Sequence, residues 1–364
     1  FSSSDLLDEY GVVAPRRTAM KKRLLILLLF GVIAGIATGY FYIQLNKPLA
    51  STAVNQDSSG SFQVSEGASL NKVLSSLVEQ GIVDTPLWVF KVYARLTSSE
   101  GTIKTGEYSL DKTQTTITLL ASIRAGKVIT RTIRFPEGWT FTMWRESFKS
   151  HPLLKKKLAG YTDYSLMRLL GRDGVHPEGQ FFPDTYTYQK GDTDISILIR
   201  AHQRMRDVLE AEWSSRTEHN VFANSQEALI LASIIEKETA WEPDRVRVAA
   251  VFVNRLKKKM KLQTDPTVIY GIDDFDGNLR RKDLRTKTPY NTYIIPGLPP
   301  TPICNPGLSS IKAALQPITS NNYYFVARGD GTSEFSETLA QHNRAVTRFQ
   351  KSGKIENYRS TPSQ

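Results

Sequence analysis

The stretch that most constrains this chain is residues 24–45, LLILLLFGVIAGIATGYFYIQL, a run of 22 residues without a charge. As a helix rising about 1.5 Å per residue, it is long enough to cross a hydrocarbon core of about 30 Å. The apolar part of a cleaved signal peptide is shorter, about 7–15 residues. The run therefore reads as an uncleaved anchor, even though Ser51-Thr52-Ala53 makes a passable cleavage site. Arg16, Arg17, Lys21, Lys22 and Arg23 precede it and only Lys47 follows closely, while Tyr40 and Tyr42 sit near its far end, where amphipathic rings favour the interface. Basic residues stay on the cytoplasmic side of a span, which places residues 1–23 in the cytoplasm and everything after residue 46 outside it. Met20 makes a natural start, leaving residues 1–19 as an upstream extension.

That topology removes the partner that charge alone suggests. The chain has 47 Lys+Arg against 36 Asp+Glu, a net charge of +11. With most of those basic residues outside the cytoplasm, nucleic acid is not an expected partner. The single cysteine, Cys304, excludes an internal disulfide and a cysteine-based zinc cluster, and in its Pro-rich loop it reads as a small packed residue.

At about 150 residues per domain, a chain of 364 residues suggests two folded units. Residues 46–60 are short, polar and Ser-rich, a flexible linker. In residues 61–127, Leu70, Val73, Leu74, Leu77 and Val78 keep the spacing of an amphipathic helix closed by Gly81. Thr85-Pro86 opens a second helix running to Leu96. Extended segments at 61–64 and 107–110 flank this pair, and a further helix through Ile117, Leu120 and Ile123 stops at Gly126. The result is a small β-α-α-β unit, the size of a binding module. Residues 128–355 mix strands and helices, so the fold class is α+β. A strand through Ile129, Ile133 and Phe135 ends at Pro136-Glu137-Gly138, and a late hairpin pairs 323–327 with 334–336 across Gly329-Asp330-Gly331. A last helix runs from Thr338 to Gln350, and residues 356–364 form a tail. Arg328-Gly329-Asp330 spells an adhesion tripeptide but reads as turn geometry.

For chemistry, the sequence offers no Gly-x-Ser-x-Gly elbow, no His-Glu-x-x-His helix and no Gly-rich phosphate loop. His151, His176, His202, His219 and His342 lack metal-ligand spacing. No metal or cofactor is expected, and carboxylates remain. Residues 224–240, NSQEALILASIIEKETA, are the most informative segment, with Asn224 as a cap and Glu227 as its box partner. Glu238 follows Leu231, Ile234 and Ile235 by seven, four and three residues and so continues their apolar stripe, whereas Glu236 projects about 200° away. Apolar surroundings disfavour the anion and raise a glutamate from about 4.3 toward the value near 6 that a general acid needs. The plain alternative is a helix-end residue in a salt bridge. Three further segments are rich in special residues. Residues 178–186, EGQFFPDTY, combine aromatics, a carboxylate and an amide in a composition suited to a sugar ring. Residues 262–270 place Gln263 and Asp265 on one face if extended. Tyr290-Asn291 is followed by the rigid loop 297–302, which is able to wall a groove. Each of these also reads as turn chemistry and core aromatics.

Taken together, Ala232–Thr239, residues 262–271, Tyr290-Asn291-Thr292-Tyr293, Gly297-Leu298-Pro299-Pro300, Asn305-Pro306-Gly307, Phe182–Tyr186 and His342-Asn343 closely resemble the YceG-like family, in matching order. These are membrane-anchored endolytic murein (peptidoglycan) transglycosylases. The resemblance implies one inner-membrane anchor, a LysM-like module at 61–127 and a catalytic domain that cleaves glycan strands internally. The family's essential glutamate falls on Glu238, with Gln263, Asp265, Tyr290 and Asn291 as candidates for holding the sugar. It also implies a lytic reaction leaving 1,6-anhydro ends, murein strands as substrate and peptidoglycan synthases as plausible partners. Two other readings stay open: a muramidase in which Asp265 activates water, and a non-catalytic wall-binding scaffold. Ten basic residues flank the 263–270 motif, at Arg255, Lys257, Lys258, Lys259, Lys261, Arg280, Arg281, Lys282, Arg285 and Lys287. They are expected either to face stem-peptide carboxylates or anionic lipid, or to form a plain solvated surface.

Overall fold

The computed structural model describes residues 15–50, 60–96, 103–111, 113–218 and 221–351. Residues 1–14, most of the linker, His219 and the tail at 356–364 lie outside the described residues. The fold is mixed α+β, and the chain divides into two compact units, Phe1–Ile129 and Thr130–Gln364.

The first unit begins with α1 (Pro15–Leu45), a single long helix whose apolar side chains from Leu24 to Ile36 face outward. Its end behaves differently: Gln44 and Leu45 in the last turn, and Leu49 just beyond it, are buried. Composition assigns residues 46–50 to a flexible linker, but the structure bonds them into the unit. The Thr116 N–H donates to the Lys47 carbonyl (3.1 Å), and the Leu49 N–H donates to the Gln114 carbonyl (3.1 Å). Backbone pairing decides the matter, and it leaves no trace in composition.

After this come β1 (Ser61–Val64), α2 (Leu70–Glu79), α3 (Leu87–Leu96), β2 (Gly106–Ser109) and α4 (Thr116–Ala125). Strands β1 and β2 pair antiparallel, with Phe62 opposite Tyr108. Ser69 caps α2, while Thr115 and Thr118 form a capping box on α4. The core is one apolar cluster around Phe62, Leu77, Phe90, Tyr108 and Leu119. Each fully buried side chain of this size contributes about 1.5–3 kcal/mol relative to exposure.

The second unit contains β3 (Arg131–Arg134), α5 (Phe141–Lys149), α6 (Asp163–Leu169), β4 (Thr185–Tyr188), α7 (Asp194–Ser214), α8 (Ser225–Glu238), α9 (Glu242–Lys257), α10 (Asp265–Tyr270), α11 (Leu308–Leu315), β5 (Tyr324–Ala327), β6 (Ser333–Ser336) and α12 (Leu339–Val346). Two antiparallel ribbons, β3–β4 and β5–β6, stand apart from each other. The expected strand through Ile129 is shorter at its start, because Ile129 donates its N–H to the Glu107 carbonyl (2.6 Å) in the first unit. One apolar cluster centres on Trp144, stacked on Phe135 with ring centroids 3.7 Å apart. A larger one surrounds α8, which packs against α9 and α11.

Candidate active site

Helix α8 positions the site. The Asn224 side chain caps it by accepting from the Glu227 N–H (3.0 Å), and the Glu227 carboxylate reaches back to the Ala223 N–H (2.8 Å). From Ala228 to Ile235 every residue is buried. The helix is thus enclosed on all sides, not striped along one face, and the chemistry is confined to its last turn.

Glu236 and Glu238 leave that turn in different directions, as their angular separation requires. The Glu236 side chain is 6% exposed and pairs with Arg245 of α9 at 3.3 Å. Its second oxygen accepts the Gly307 N–H (3.0 Å). The Glu137 carboxylate also lies against Gly307, where a Cβ would displace it.

Glu238 has no such ion pair. It is enclosed by protein on most sides and opens onto a cavity of about 560 Å³ shared with Gln263, Asp265, Tyr293, Tyr324 and His342. Its carboxylate accepts a hydrogen bond from the Thr264 hydroxyl. Burial pushes its pKa up to about 7; the Thr264 bond opposes this, Asp265 adds to it, and the Arg255 cation opposes it. The carboxyl is therefore held near the balance point between proton donor and acceptor.

A network of threonines places Thr264. The Thr264 N–H donates to the Thr292 hydroxyl (3.1 Å), the Thr267 hydroxyl donates to the Thr264 carbonyl (2.8 Å), and Gln263 donates its N–H to the Thr292 carbonyl (3.2 Å). Residues 262–270 are not extended. Gln263 adopts the left-handed region at φ 49°, which costs a non-glycine residue roughly 1–2 kcal/mol, and α10 starts at Asp265 with Pro266 in its first turn. Gln263 and Asp265 still reach the same cavity, by way of this tight turn instead of a shared strand face. The Tyr293 hydroxyl donates to Asp265 (2.6 Å).

The other two candidates go elsewhere. Tyr290 lines a neighbouring cavity of about 890 Å³ on the far side of α10, together with Pro266 and Tyr270, and its hydroxyl lies 2.8 Å from that of Thr301. Asn291 is fully buried. Its amide nitrogen donates to the carbonyls of Asp283 (3.1 Å) and Thr286 (2.8 Å), so it holds the loop.

The neighbouring cavity also touches Glu178, a second buried carboxyl whose pKa burial raises to about 7. Both of its oxygens are engaged, one by the Phe141 N–H at the start of α5 (2.9 Å) and one by the Tyr270 hydroxyl (3.0 Å). It ties two helices together and has no free oxygen comparable to that of Glu238. The aromatics that follow it, Phe181, Phe182 and Tyr186, are buried in the core and do not form a sugar platform. The 297–302 loop walls a different cavity, beside the start of α8.

Arg255 belongs to the interior, not to the basic surface that its neighbours suggest. Its guanidinium donates to the carbonyls of Tyr323 (2.7 Å) and Leu262 (2.7 Å). Cys304 is buried, with its thiol 3.3 Å from the Ser233 carbonyl. Among the described residues, no three His, Cys, Asp or Glu side chains gather where a metal could sit. Thr264, Tyr293 and Tyr324 join the cavity without having been expected there, Arg255 joins it from inside instead of from a basic surface, and of these only the Thr-Asp-Pro helix start at 264–266 carries a local signal.

Comparison with known proteins identifies the family. The profile of the YceG-like family matches residues 62–348. The endolytic murein transglycosylase of Bacillus subtilis (strain 168) is 31% identical over 303 residues, covering 79% of this chain and 83% of that protein. The endolytic murein transglycosylase of Streptococcus pneumoniae (strain D39) is 28% identical over 346 residues, covering 85% of this chain but 62% of that longer protein. The crystal structure of a YceG-like protein from Listeria monocytogenes aligns with a TM-score of 0.50 at 29% identity, over 78% of this chain and 97% of its own. With the family profile spanning most of the chain and a relative above 30% identity over four fifths of its own length, the chain belongs to the YceG-like family.

Proposed function

We propose that this protein is an endolytic murein transglycosylase, a lyase that cuts the MurNAc–GlcNAc bond within glycan strands, with Glu238 as its acid–base group. The observation that carries the reading is the Glu238 carboxyl, raised to about 7 and opening onto a cavity without an ion-pair partner. A hydrolase usually places two carboxylates across the bond, whereas a lytic reaction needs only one. Protonated Glu238 gives its proton to the leaving glycosidic oxygen. The resulting carboxylate then takes the proton of the 6-hydroxyl of the same N-acetylmuramic acid as that oxygen closes on C1. The product is a 1,6-anhydromuramoyl end, with no water consumed and no cofactor required. Acid–base help supplies about 10²–10⁴-fold, and positioning of the sugar supplies the rest. Gln263 and Asp265 hold the ring nearest the bond. Tyr290 meets sugars further along, since an internal cut needs strand on both sides. Asn291 acts only through the loop.

Helix α1 anchors the protein in the cytoplasmic membrane, N-terminus inside, and the β-α-α-β unit serves as a LysM-like contact with the wall. Tethered there, the enzyme trims or terminates nascent strands beside the synthases that make them. One observation favours a second reading: Asp265 shares the Glu238 cavity and would be placed to activate water in a hydrolytic muramidase. Mass analysis of digested peptidoglycan separates the two. Anhydro ends support the lyase, and reducing ends would replace it with the hydrolase.

A further inference from the structure

The first unit does not hang loosely from its helix. The Gln44 carbonyl accepts from the Thr85 hydroxyl (2.9 Å), and Ala50 donates its N–H to the Ile82 carbonyl (3.0 Å). With the bonds of Lys47 and Leu49, these fix the end of α1 within the β-α-α-β unit. One turn earlier, Trp88 at the start of α3 lies directly on α1. It stacks on Tyr40, with centroids 6.0 Å apart and planes 4° from parallel, and meets Phe41 edge-on at 5.9 Å.

Trp88 is nevertheless 53% exposed, and α3 continues its outward face with Val92 and Leu96, also exposed. Lys91 and Arg95 lie on the same face, at i+3 and i+7 from Trp88. The inner face of α3, with Val89, Phe90 and Ala94, is already used by the core. The outer stripe is thus apolar and basic where a solvated helix would be uniformly polar. The one acid just ahead of the helix, Asp84, pairs with Lys47 at 3.4 Å.

Depth decides what covers this face. Tyr40 comes 16 residues after Leu24, about 24 Å along a helix, whereas the hydrocarbon core is about 30 Å thick. A span that starts its core at Leu24 therefore leaves Tyr40, and the Trp88 ring stacked on it, about 6 Å short of the outer edge of the hydrocarbon core, close beneath the headgroup layer. Tryptophan favours that layer, and Lys and Arg can lay their stems on apolar surface with their charges among lipid headgroups.

We propose that the outer face of α3, formed by Trp88, Lys91, Val92, Arg95 and Leu96, rests in the headgroup layer of the membrane that α1 crosses, with anionic lipid as its partner. This inference depends on α1 being a span, and not on the identity of the catalytic group.

The test uses the full chain reconstituted in phosphatidylcholine vesicles, with and without phosphatidylglycerol. An environment-sensitive fluorophore is attached at Val92→Cys, at Glu66→Cys in the exposed turn after β1, or at Ile33→Cys inside α1; the native Cys304 is buried. Quenching by nitroxide lipids is then read at each position. The expected result is that Val92→Cys is quenched by headgroup-level nitroxide and Glu66→Cys is not. Replacing Lys91 and Arg95 by Gln should lower the docked-to-undocked ratio in anionic vesicles, by roughly five-fold per charge, and leave neutral vesicles unchanged. Equal quenching at Val92→Cys and Glu66→Cys, with Ile33→Cys quenched at depth, would overturn docking while keeping the span. An unquenched Ile33→Cys would overturn the span itself. A Val92→Cys label that is shielded without quenching, and only at high protein-to-lipid ratio, would overturn lipid docking in favour of a second copy of the chain. Insensitivity to the Lys91 and Arg95 changes would remove the anionic partner.

Discussion

Glu236 and Glu238 leave helix α8 two residues apart, yet their surroundings differ in kind. Around Glu236 the chain has gathered a cation, Arg245, and a backbone donor, the Gly307 N–H, and has closed the space with Glu137. Around Glu238 it has gathered a hydroxyl, a nearby carboxylate and an open cavity, and has kept Arg255 occupied with carbonyls. The first arrangement holds a charge in place, and the second leaves a proton free to move. Residue type and helix position are almost the same, so the environment delivered by other segments assigns the role. A buried ion pair contributes mainly through the cost of breaking it, whereas a buried carboxyl without a partner is costly to keep and useful to chemistry.

That contrast can be broken experimentally. The largest effect belongs to Glu238→Gln, which is expected to lower strand cleavage by about 10²–10⁴-fold in an assay of released fragments. The same change should stabilise the fold at neutral pH. The carboxyl binds its proton more tightly folded than unfolded, so the wild type loses stability as pH rises from about 4.5 to about 7, at most about 1.4 kcal/mol per pH unit, and does not regain it above. Thermal melts at pH 8 should place the variant above wild type, and melts at pH 4 should place the two together. Glu236→Ala should do the reverse, costing about 3 kcal/mol in denaturant titrations because Arg245 is left buried, while the shape of the pH–rate profile is kept. Thr264→Val removes a bond that favours the Glu238 anion. It should move the alkaline limb of that profile upward and slow cleavage roughly tenfold, in line with about 1.5 kcal/mol for a charge-assisted bond. Tyr293→Phe, which frees only Asp265, should change kcat/KM by about threefold, the value of a bond worth about 0.5–1 kcal/mol.

The sequence carries some of these features openly and hides others. The capped helix ending at Glu238 is visible because its signals are local: an Asn224 cap, a Glu227 partner and apolar spacing within one element. The β5–β6 hairpin, strand β3 and the β-α-α-β order of the first unit follow from alternation and turn residues in the same way, whereas β4, the partner of β3, begins in the 178–186 segment whose composition suggests a sugar site. The condition that 262–270 be extended fails because Pro266 sits in a first helical turn, which is its favoured place. The burial of Asn291, the core position of Phe181 and Phe182, and the fixing of residues 46–50 depend on partners far along the chain, as from Leu49 to Gln114. No periodicity within a segment encodes such partners. The Thr264 hydroxyl on Glu238 spans 26 residues, and the Arg255 bond to Tyr323 spans 68.

The central claim is that one elevated carboxyl, Glu238, must carry a proton for the strand to be cut, and the pH dependence of kcat/KM tests it most directly. The account predicts a plateau below about 7 and a tenfold fall per pH unit above it, with Glu238→Gln flat and near zero throughout. Cleavage that rises with pH through this range, or that Glu238→Gln sustains at the wild-type rate, would contradict it.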